Sequence, residues 1–207
     1  MDNKFITIEG GEGAGKSTQI RLLAEQLPQL FPTATFHFTR EPGGSDFAEE
    51  LRTVIFSSKA KELSGKGVFG LFATARQDHI ERIIRPKLDD GTTVICDRFA
   101  AATYAYQACA MRNPISEDFF KHYYEQLDAT PVVTIILDID PRIGMQRVAS
   151  RNGQDKNHFD ERDLTFHDAV RDGYRRFAEF APACVIDATP SVEEVFSGIV
   201  DCLRKYL

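Results

Sequence analysis

Short apolar runs alternate with amphipathic segments along the whole chain. The runs that predict β-strands lie at 4–9, 34–39, 92–97, 132–138 and 183–187. The fourth run is apolar at consecutive positions, as expected of a strand that is buried on both faces. In the last amphipathic segment, the apolar residues fall on one helix face; they are Val192, Val195, Phe196, Ile199 and Leu203. This alternation predicts an α/β fold, a three-layer α/β/α sandwich on a parallel five-stranded sheet.

A glycine-rich loop follows the first predicted strand and precedes a helical pattern. Its residues are Gly10, Gly11, Glu12, Gly13, Ala14, Gly15, Lys16, Ser17 and Thr18. Their spacing matches the phosphate loop, in which backbone N–H groups and a helix N-terminus bind phosphate. Lys16 then reaches the β- and γ-phosphates, and Ser17 can ligate Mg²⁺. A plain glycine turn and a dinucleotide fold are the alternatives, but the G-x-G-x-x-G spacing of the latter is missing.

The ends of the other predicted strands also carry charged residues or glycines. Thr39-Arg40-Glu41-Pro42-Gly43-Gly44 follows the second strand, and Asp97-Arg98-Phe99 follows the third. Parallel strands bring their carboxyl ends to one edge of the sheet, where ligands bind. Two arginines beside a phosphate loop therefore predict an anion site.

Phe72 and Arg76 are four residues apart and so share one helix face. The ring could stack on a nucleobase while the guanidinium hydrogen-bonds its edge. Spacing alone favours a simpler interpretation, a core phenylalanine beside a surface arginine.

Two polar segments interrupt the helical patterns. The segment 59–67 predicts a mobile surface loop. The segment 147–161 breaks a helix and is too polar to pack, which predicts a short mobile lid. An ordinary solvated loop is the alternative for this second segment.

Composition limits the class of protein and its partners. The 207 residues suit a single domain, and 43% apolar and 27% charged residues are typical of a soluble globular protein. A net charge of −6 argues against a nucleic-acid partner. We find no signal peptide and no apolar run long enough to cross a membrane, which predicts a cytoplasmic protein. The four cysteines lack the paired spacing of a zinc site.

The sequence resembles the thymidylate kinases, which are P-loop nucleoside-monophosphate kinases, almost from end to end. The phosphate loop alone indicates only an NTPase. Its combination with the Arg-Glu-Pro-Gly-Gly loop and the Asp-Arg-aromatic step is far more specific. The other matching motifs are the Phe72–Arg76 pair, Ala105-Tyr106-Gln107 and Leu137-Asp138-Ile139-Asp140-Pro141.

This resemblance implies phosphoryl transfer from ATP to dTMP with Mg²⁺, usually in a homodimer. It implies that Arg40 and Arg98 hold the acceptor phosphate, and that Glu12 meets the sugar 3′-hydroxyl. The remaining implied contacts are thymine stacking by Phe72, a hydrogen bond to the base edge from Arg76, crowding of the 2′-position by Tyr106, a base-pocket wall at Gln107 and a place near Mg²⁺ for Asp97.

The sequence departs from the family pattern at three places. Phe99 replaces the usual Tyr or His, and Ala102 stands near an expected serine. The third departure is the lid, which has Arg151 and Lys156 where family members with Ala14 in the phosphate loop tend to carry several arginines. Because Ala14 leaves no arginine in the loop, the charge must come from elsewhere. We therefore expect Arg151 to be catalytic together with Lys16 and Arg98, and Arg147 to contact ATP. Lys156 is a further lid candidate.

Two other functions fit the same motifs less well. One is a kinase of another deoxynucleoside monophosphate, and the other is a nucleotide-binding sensor with slow turnover. The intact lysine, arginine and aspartate set favours an enzyme, whereas the few basic residues in the lid favour the sensor.

Overall fold

A parallel sheet lies at the centre of the protein. The computed structural model describes residues 4–150, 159 and 162–207. Within these residues, the sheet has five strands, β1 (Phe5–Gly10), β2 (Phe36–Arg40), β3 (Thr93–Asp97), β4 (Val133–Asp138) and β5 (Ala183–Asp187). Their order across the sheet is β2-β3-β1-β4-β5, and every neighbouring pair is parallel. The predicted α/β fold is confirmed, and the strand bounds lie within two residues of the predicted ones, with β5 as predicted.

Helices connect the strands and cover both faces of the sheet. In chain order they are α1 (Lys16–Leu30), α2 (Asp46–Ile55), α3 (Gly65–His79), α4 (Arg85–Asp89), α5 (Ala100–Thr103), α6 (Glu117–Glu125), α7 (Pro141–Ala149), α8 (Leu164–Phe177) and α9 (Val192–Leu203). A 3₁₀-helix spans Ser58–Glu62, and π-helical segments span Ile80–Ile84 and Tyr104–Ala110. In the described part of the chain, no helix is long and apolar enough to cross a membrane.

Alternate residues of the central strands supply two separate apolar cores. Ile6 and Ile8 of β1 pack with residues of α1 and α9 on one face of the sheet. Phe5 of the same strand packs on the other face, with α5, α6 and α8. All six residues of β1 are buried. The loop that follows β1 is therefore anchored to a strand that is covered on both sides.

The segment 59–67, which the sequence predicts to be a surface loop, is largely helical. It contains most of the 3₁₀-helix and the start of α3, and the Ser64 hydroxyl caps α3 by accepting from the Gly67 N–H. The Gly65 N–H donates to the Arg112 carbonyl over 2.8 Å, which ties this turn to the loop before α6. The polar composition that suggested a loop reflects the exposed side of these short helices.

Backbone-to-backbone packing joins the phosphate loop to α7. A Cβ atom built on Gly13 would overlap the Gly144 carbonyl, and one built on Gly144 would overlap the Glu12 carbonyl. Gly13 also has φ +72, a left-handed conformation that favours glycine. Only glycine at both positions allows this close approach, and the sequence motifs identify Gly13 but not Gly144.

We predict that Gly144→Ala lowers the free energy of unfolding by about 1–3 kcal/mol, because the added methyl group must push the loop and helix apart. Gly70→Ala is the matched control, since Gly70 also lies inside a helix but has no atom within 4 Å of an added Cβ. The control should be neutral or stabilising by up to about 1 kcal/mol. Urea unfolding measures the free energy of unfolding of both variants. Equal changes in the two variants would contradict the close approach of the phosphate loop to α7.

Candidate active site

An open cleft of about 1050 Å³ lies at the carboxyl ends of β1, β2 and β3. The phosphate loop, the segment after β2 and the step after β3 all line it, as expected for parallel strands. The predicted site residues that it brings together are Glu12, Gly13, Gly15, Lys16, Ser17, Arg40, Phe72, Asp97, Arg98, Tyr106 and Gln107. Arg76 and Arg147 do not line the cleft.

The phosphate loop holds Lys16 at the floor of this cleft. Gly15, at φ +88, ends the loop, and α1 begins directly after it. The Lys16 Nζ donates to the carbonyl oxygens of Gly10 over 3.0 Å and Gly11 over 2.9 Å. Burial, followed by the nearby Arg98 charge, lowers the pKa of Lys16 to about 8. The lysine is thus folded over the loop, where an anion entering the loop would meet it.

Arg98 and Glu12 form an ion pair in the middle of the cleft. The Arg98 Nη2 lies 2.7 Å from the Glu12 Oε1, and the Tyr106 hydroxyl donates to the same oxygen over 2.8 Å. Burial by itself would raise the pKa of Glu12, but the charges of Arg98 and Lys16 lower it to about 2. Glu12 is therefore ionised, and its charge partly balances the two cations.

Glu9, which the sequence analysis did not select as a site residue, is a buried carboxyl beneath the cleft. Its Oε1 accepts from the backbone N–H groups of Phe99 over 2.6 Å and Ala102 over 3.3 Å. Burial raises the pKa of Glu9 to about 7, although these hydrogen bonds and the Arg98 charge oppose the rise. Glu9 thus holds the turn that carries Arg98, and a glutamate within an otherwise apolar strand was the signal for it.

Arg40 is held in place by Glu49, a residue of α2 that the motifs do not indicate. The Arg40 Nη2 donates to both carboxylate oxygens of Glu49 over 2.9 Å. Glu49 also accepts from the Gly44 N–H over 3.0 Å. Burial alone would raise the pKa of Glu49, but the Gly44 N–H and Arg40 lower it. This exposed ion pair directs the Arg40 guanidinium along the rim of the cleft.

The exposures of Phe72 and Arg76 are the reverse of those that the simpler interpretation predicts. Phe72 is half-buried and lines the cleft, whereas Arg76 is only 1% exposed. The expectation of a core phenylalanine beside a surface arginine is therefore wrong. Arg76 donates to Glu41 over 2.8 Å, Thr103 over 2.9 Å and Tyr123 over 3.2 Å. A buried carboxylate partner makes burial of this arginine possible, and its contact with a base edge stays a prediction.

Asp97 has an unsatisfied oxygen beside the phosphate loop. Its Oδ1 is buried and has no hydrogen-bond partner among the described residues. Ser17, with an exposed side chain, lines the same cleft. A buried carboxylate oxygen without a donor suits a cation or a water bound to a cation.

The proposed lid lies only partly within the described residues. Arg147 belongs to α7 and donates to the carbonyl oxygens of Ala188 over 3.0 Å and Thr189 over 3.2 Å, beside the loop after β5. Arg151 and Lys156 lie outside the described residues. Phe159 is buried, lines the cleft and places its ring 5.5 Å from that of Tyr106. The expectation that this segment is too polar to pack is wrong at Phe159.

Comparison with known proteins agrees with these motifs. A family model described as thymidylate kinase matches residues 8–199. The thymidylate kinase of Bradyrhizobium sp. (strain ORS 278) is 39% identical over 99% of this chain and 91% of its own length. The thymidylate kinase of Caulobacter vibrioides is 42% identical over 98% of this chain and 97% of its own length. The crystal structure of thymidylate kinase from Ehrlichia chaffeensis matches with a TM-score of 0.77 at 29% identity, covering 99% of both chains.

We predict that Glu9→Gln removes part of the pH dependence of stability. Glu9 titrates near 4.5 in the unfolded chain and near 7 in the folded protein. Between these values the folded protein binds a proton that the unfolded chain has released, so the Glu9 contribution to stability falls as the pH rises. The free energy of unfolding of the parent minus that of Glu9→Gln should thus fall between about pH 5 and about pH 8.

Chemical denaturation at a series of pH values measures this difference. Glu50→Gln, at an exposed position of α2, is the control and should follow the parent curve. A constant difference between parent and Glu9→Gln would show that Glu9 does not titrate in this window.

Proposed function

The chain belongs to the thymidylate kinase family, and we propose that the cleft performs the family reaction through the residues described above. The enzyme transfers the γ-phosphoryl group of ATP to dTMP, which gives ADP and dTDP. The observation that carries the assignment of roles is the meeting of Lys16, Arg98 and Phe72 in one cleft. These residues provide a phosphate-binding lysine, a second cation and an aromatic wall.

The donor phosphates bind at the phosphate loop. The positive end of α1 begins directly after the loop, and the Lys16 ammonium group is held over the loop by the Gly10 carbonyl. When phosphate oxygens enter, they offer the ammonium group charged acceptors in exchange for the carbonyl oxygens of Gly10 and Gly11. This exchange favours binding because a charge-assisted hydrogen bond is stronger than one to a neutral carbonyl.

The acceptor phosphate binds between Arg98 and Arg40. The second pKa of a phosphate monoester is about 6, so the attacking oxygen is already an anion near neutral pH. The reaction therefore needs no general base, and the main task is to hold two polyanions in line while their charges are neutralised. Arg98 and Lys16, whose charges both act on Glu12, supply that charge.

Mg²⁺ fits the residues present at this edge of the cleft. Asp97 offers a buried oxygen that has no hydrogen-bond partner in the described part of the chain, and Ser17 offers a hydroxyl at the start of α1. Oxygen ligands of this kind, together with phosphate oxygens and waters, form the usual Mg²⁺ site in phosphoryl-transfer enzymes. When bound, the ion neutralises charge on the donor phosphates.

The nucleobase binds against Phe72, with Gln107, Ala102 and Phe159 around it. Ala102 donates its backbone N–H to Glu9 and has no polar side chain to offer the nucleotide. Selectivity for thymine therefore depends on Phe72 and Gln107 rather than on residue 102, and the proposed Arg76 contact requires its buried guanidinium to reach a cleft that it does not line. Tyr106, whose hydroxyl is bonded to Glu12, limits the space on the sugar side.

The proposal also covers the lid segment, the oligomeric state and the cellular location of the enzyme. We propose that the segment 147–161 covers ATP, with Arg151 on the transferred group and Arg147 near the donor, so that water is excluded during transfer. We also propose a cytoplasmic homodimer. Its support is the set of large apolar side chains exposed on α2 and α6, namely Phe47, Val54 and Phe119.

We predict that a coupled ADP-release assay shows preference for dTMP over dCMP, dGMP and dAMP. Phe72→Ala should lower the affinity for dTMP by about 1–3 kcal/mol with little change in KM for ATP, because it removes only the stacking surface. Lys16→Ala should abolish release with every acceptor. If the parent enzyme does not prefer dTMP, the base assignment fails and another deoxynucleotide becomes the substrate.

We predict that the two arginines at the lid have separable kinetic roles. Arg151→Ala should lower kcat with little change in either KM, the signature of a contact made mainly in the transition state. Arg147→Ala should raise KM for ATP and leave KM for dTMP unchanged. Arg204→Ala, an exposed arginine directly after α9, is the control and should keep parental kinetics. A parental kcat for Arg151→Ala would contradict the catalytic role of the lid.

A further inference from the structure

Tyr174 is a buried polar residue that no sequence motif selects. It lies on α8, is 2% exposed, and its ring is 6.4 Å from that of Tyr106. Its hydroxyl accepts from the Arg98 Nη1 over 3.0 Å and donates to the Glu9 Oε2 over 3.1 Å. A single hydroxyl thus connects the central arginine of the cleft to the carboxyl beneath it.

Both the backbone and the side chain of Arg98 are held through Glu9. Arg98 has φ +66, a left-handed conformation that is uncommon for a residue with a side chain. The Glu9 Oε1 stabilises this turn by accepting from the next backbone N–H, that of Phe99, over 2.6 Å. The other carboxylate oxygen reaches the Arg98 guanidinium through Tyr174. Nη2 is already occupied by Glu12, so Tyr174 and the more distant Gly10 carbonyl, at 3.3 Å, set the position of Nη1.

We propose that the Tyr174 hydroxyl is a positioning group for Arg98, which orients the guanidinium toward the acceptor phosphate. This inference rests on the proposed role of Arg98 in binding dTMP. A hydroxyl suits the position because it accepts from a guanidinium and donates to a carboxylate at the same time. It also places one group between Glu9 and Arg98, so that, within the described part of the chain, Glu12 is the carboxylate that pairs directly with the arginine, and charge stays available for a phosphate.

Tyr174→Phe isolates the hydroxyl because the ring that packs in the core is retained. We expect the affinity for dTMP, measured by titration calorimetry, to fall roughly three- to tenfold, the range for one lost hydrogen bond. Steady-state assays should show a matching loss of kcat/KM for dTMP, with KM for ATP unchanged. A purely structural role would instead change the affinity for both nucleotides alike or change neither.

Tyr104→Phe is the matched control. Tyr104 is also a fully buried tyrosine whose hydroxyl donates to a carboxylate, that of Glu117, over 2.9 Å, but it does not line the cleft. This variant should lose stability comparably and keep parental dTMP affinity. An equal loss of dTMP affinity in both tyrosine variants would overturn the proposal.

A double-mutant cycle tests whether Tyr174 acts through Arg98. Tyr174→Phe should weaken dTMP binding in the parent and have no further effect in Arg98→Ala, because the group that it positions is already absent. Additive losses, or parental affinity in Tyr174→Phe, would overturn the positioning role while leaving the proposed function intact. Parental affinity in Arg98→Ala itself would overturn the role of Arg98, and with it the premise of the inference.

Discussion

The end of β1 carries both the phosphate loop and Glu9, and the rest of the active site depends on how this strand is fixed. The strand is buried on both faces, and its last residue leads directly into a loop whose backbone lies against the backbone of α7. The loop is thus restrained at its start by the sheet and at Gly13 by Gly144. A phosphate-binding loop benefits from this rigidity because its N–H groups must already point at the anion when it arrives.

Charge balance is the second constraint on the site. Lys16 is buried and Arg98 partly buried, and each lowers the pKa of a nearby carboxyl or opposes its rise. Glu12 pairs directly with Arg98, whereas the Tyr174 hydroxyl links Glu9 to the Arg98 guanidinium. The cleft consequently keeps two cations close together without a substrate and still offers them to phosphate groups. Burial strengthens each of these interactions, since water screens them less than at the surface.

Arginines that look alike in the sequence have different environments in the structure. Arg40 is exposed and paired with Glu49, while Arg76 is buried and paired with Glu41. Arg147 donates to backbone carbonyl oxygens just after β5. Arg40 can turn toward a phosphate at a small cost in free energy, because exposed ion pairs are weak. Removing Arg76 would leave the buried Glu41 without its arginine partner, so Arg76 also contributes to the stability of the fold.

Local patterns in the sequence determined the α/β class, the strand positions and the phosphate loop, because these depend on residue periodicity and on spacing within a few residues. They also placed Arg40, Asp97 and Arg98 at one edge, since parallel strands must end there. Only the tertiary structure decided which side of α3 is buried, so spacing alone gave the wrong exposure for Phe72 and Arg76. The partners Glu49, Gly144 and Tyr174 were likewise decided by tertiary packing. Tyr174 and Glu9 are far apart in the chain, and no local pattern carries the information that the Tyr174 hydroxyl on α8 reaches Glu9 on β1.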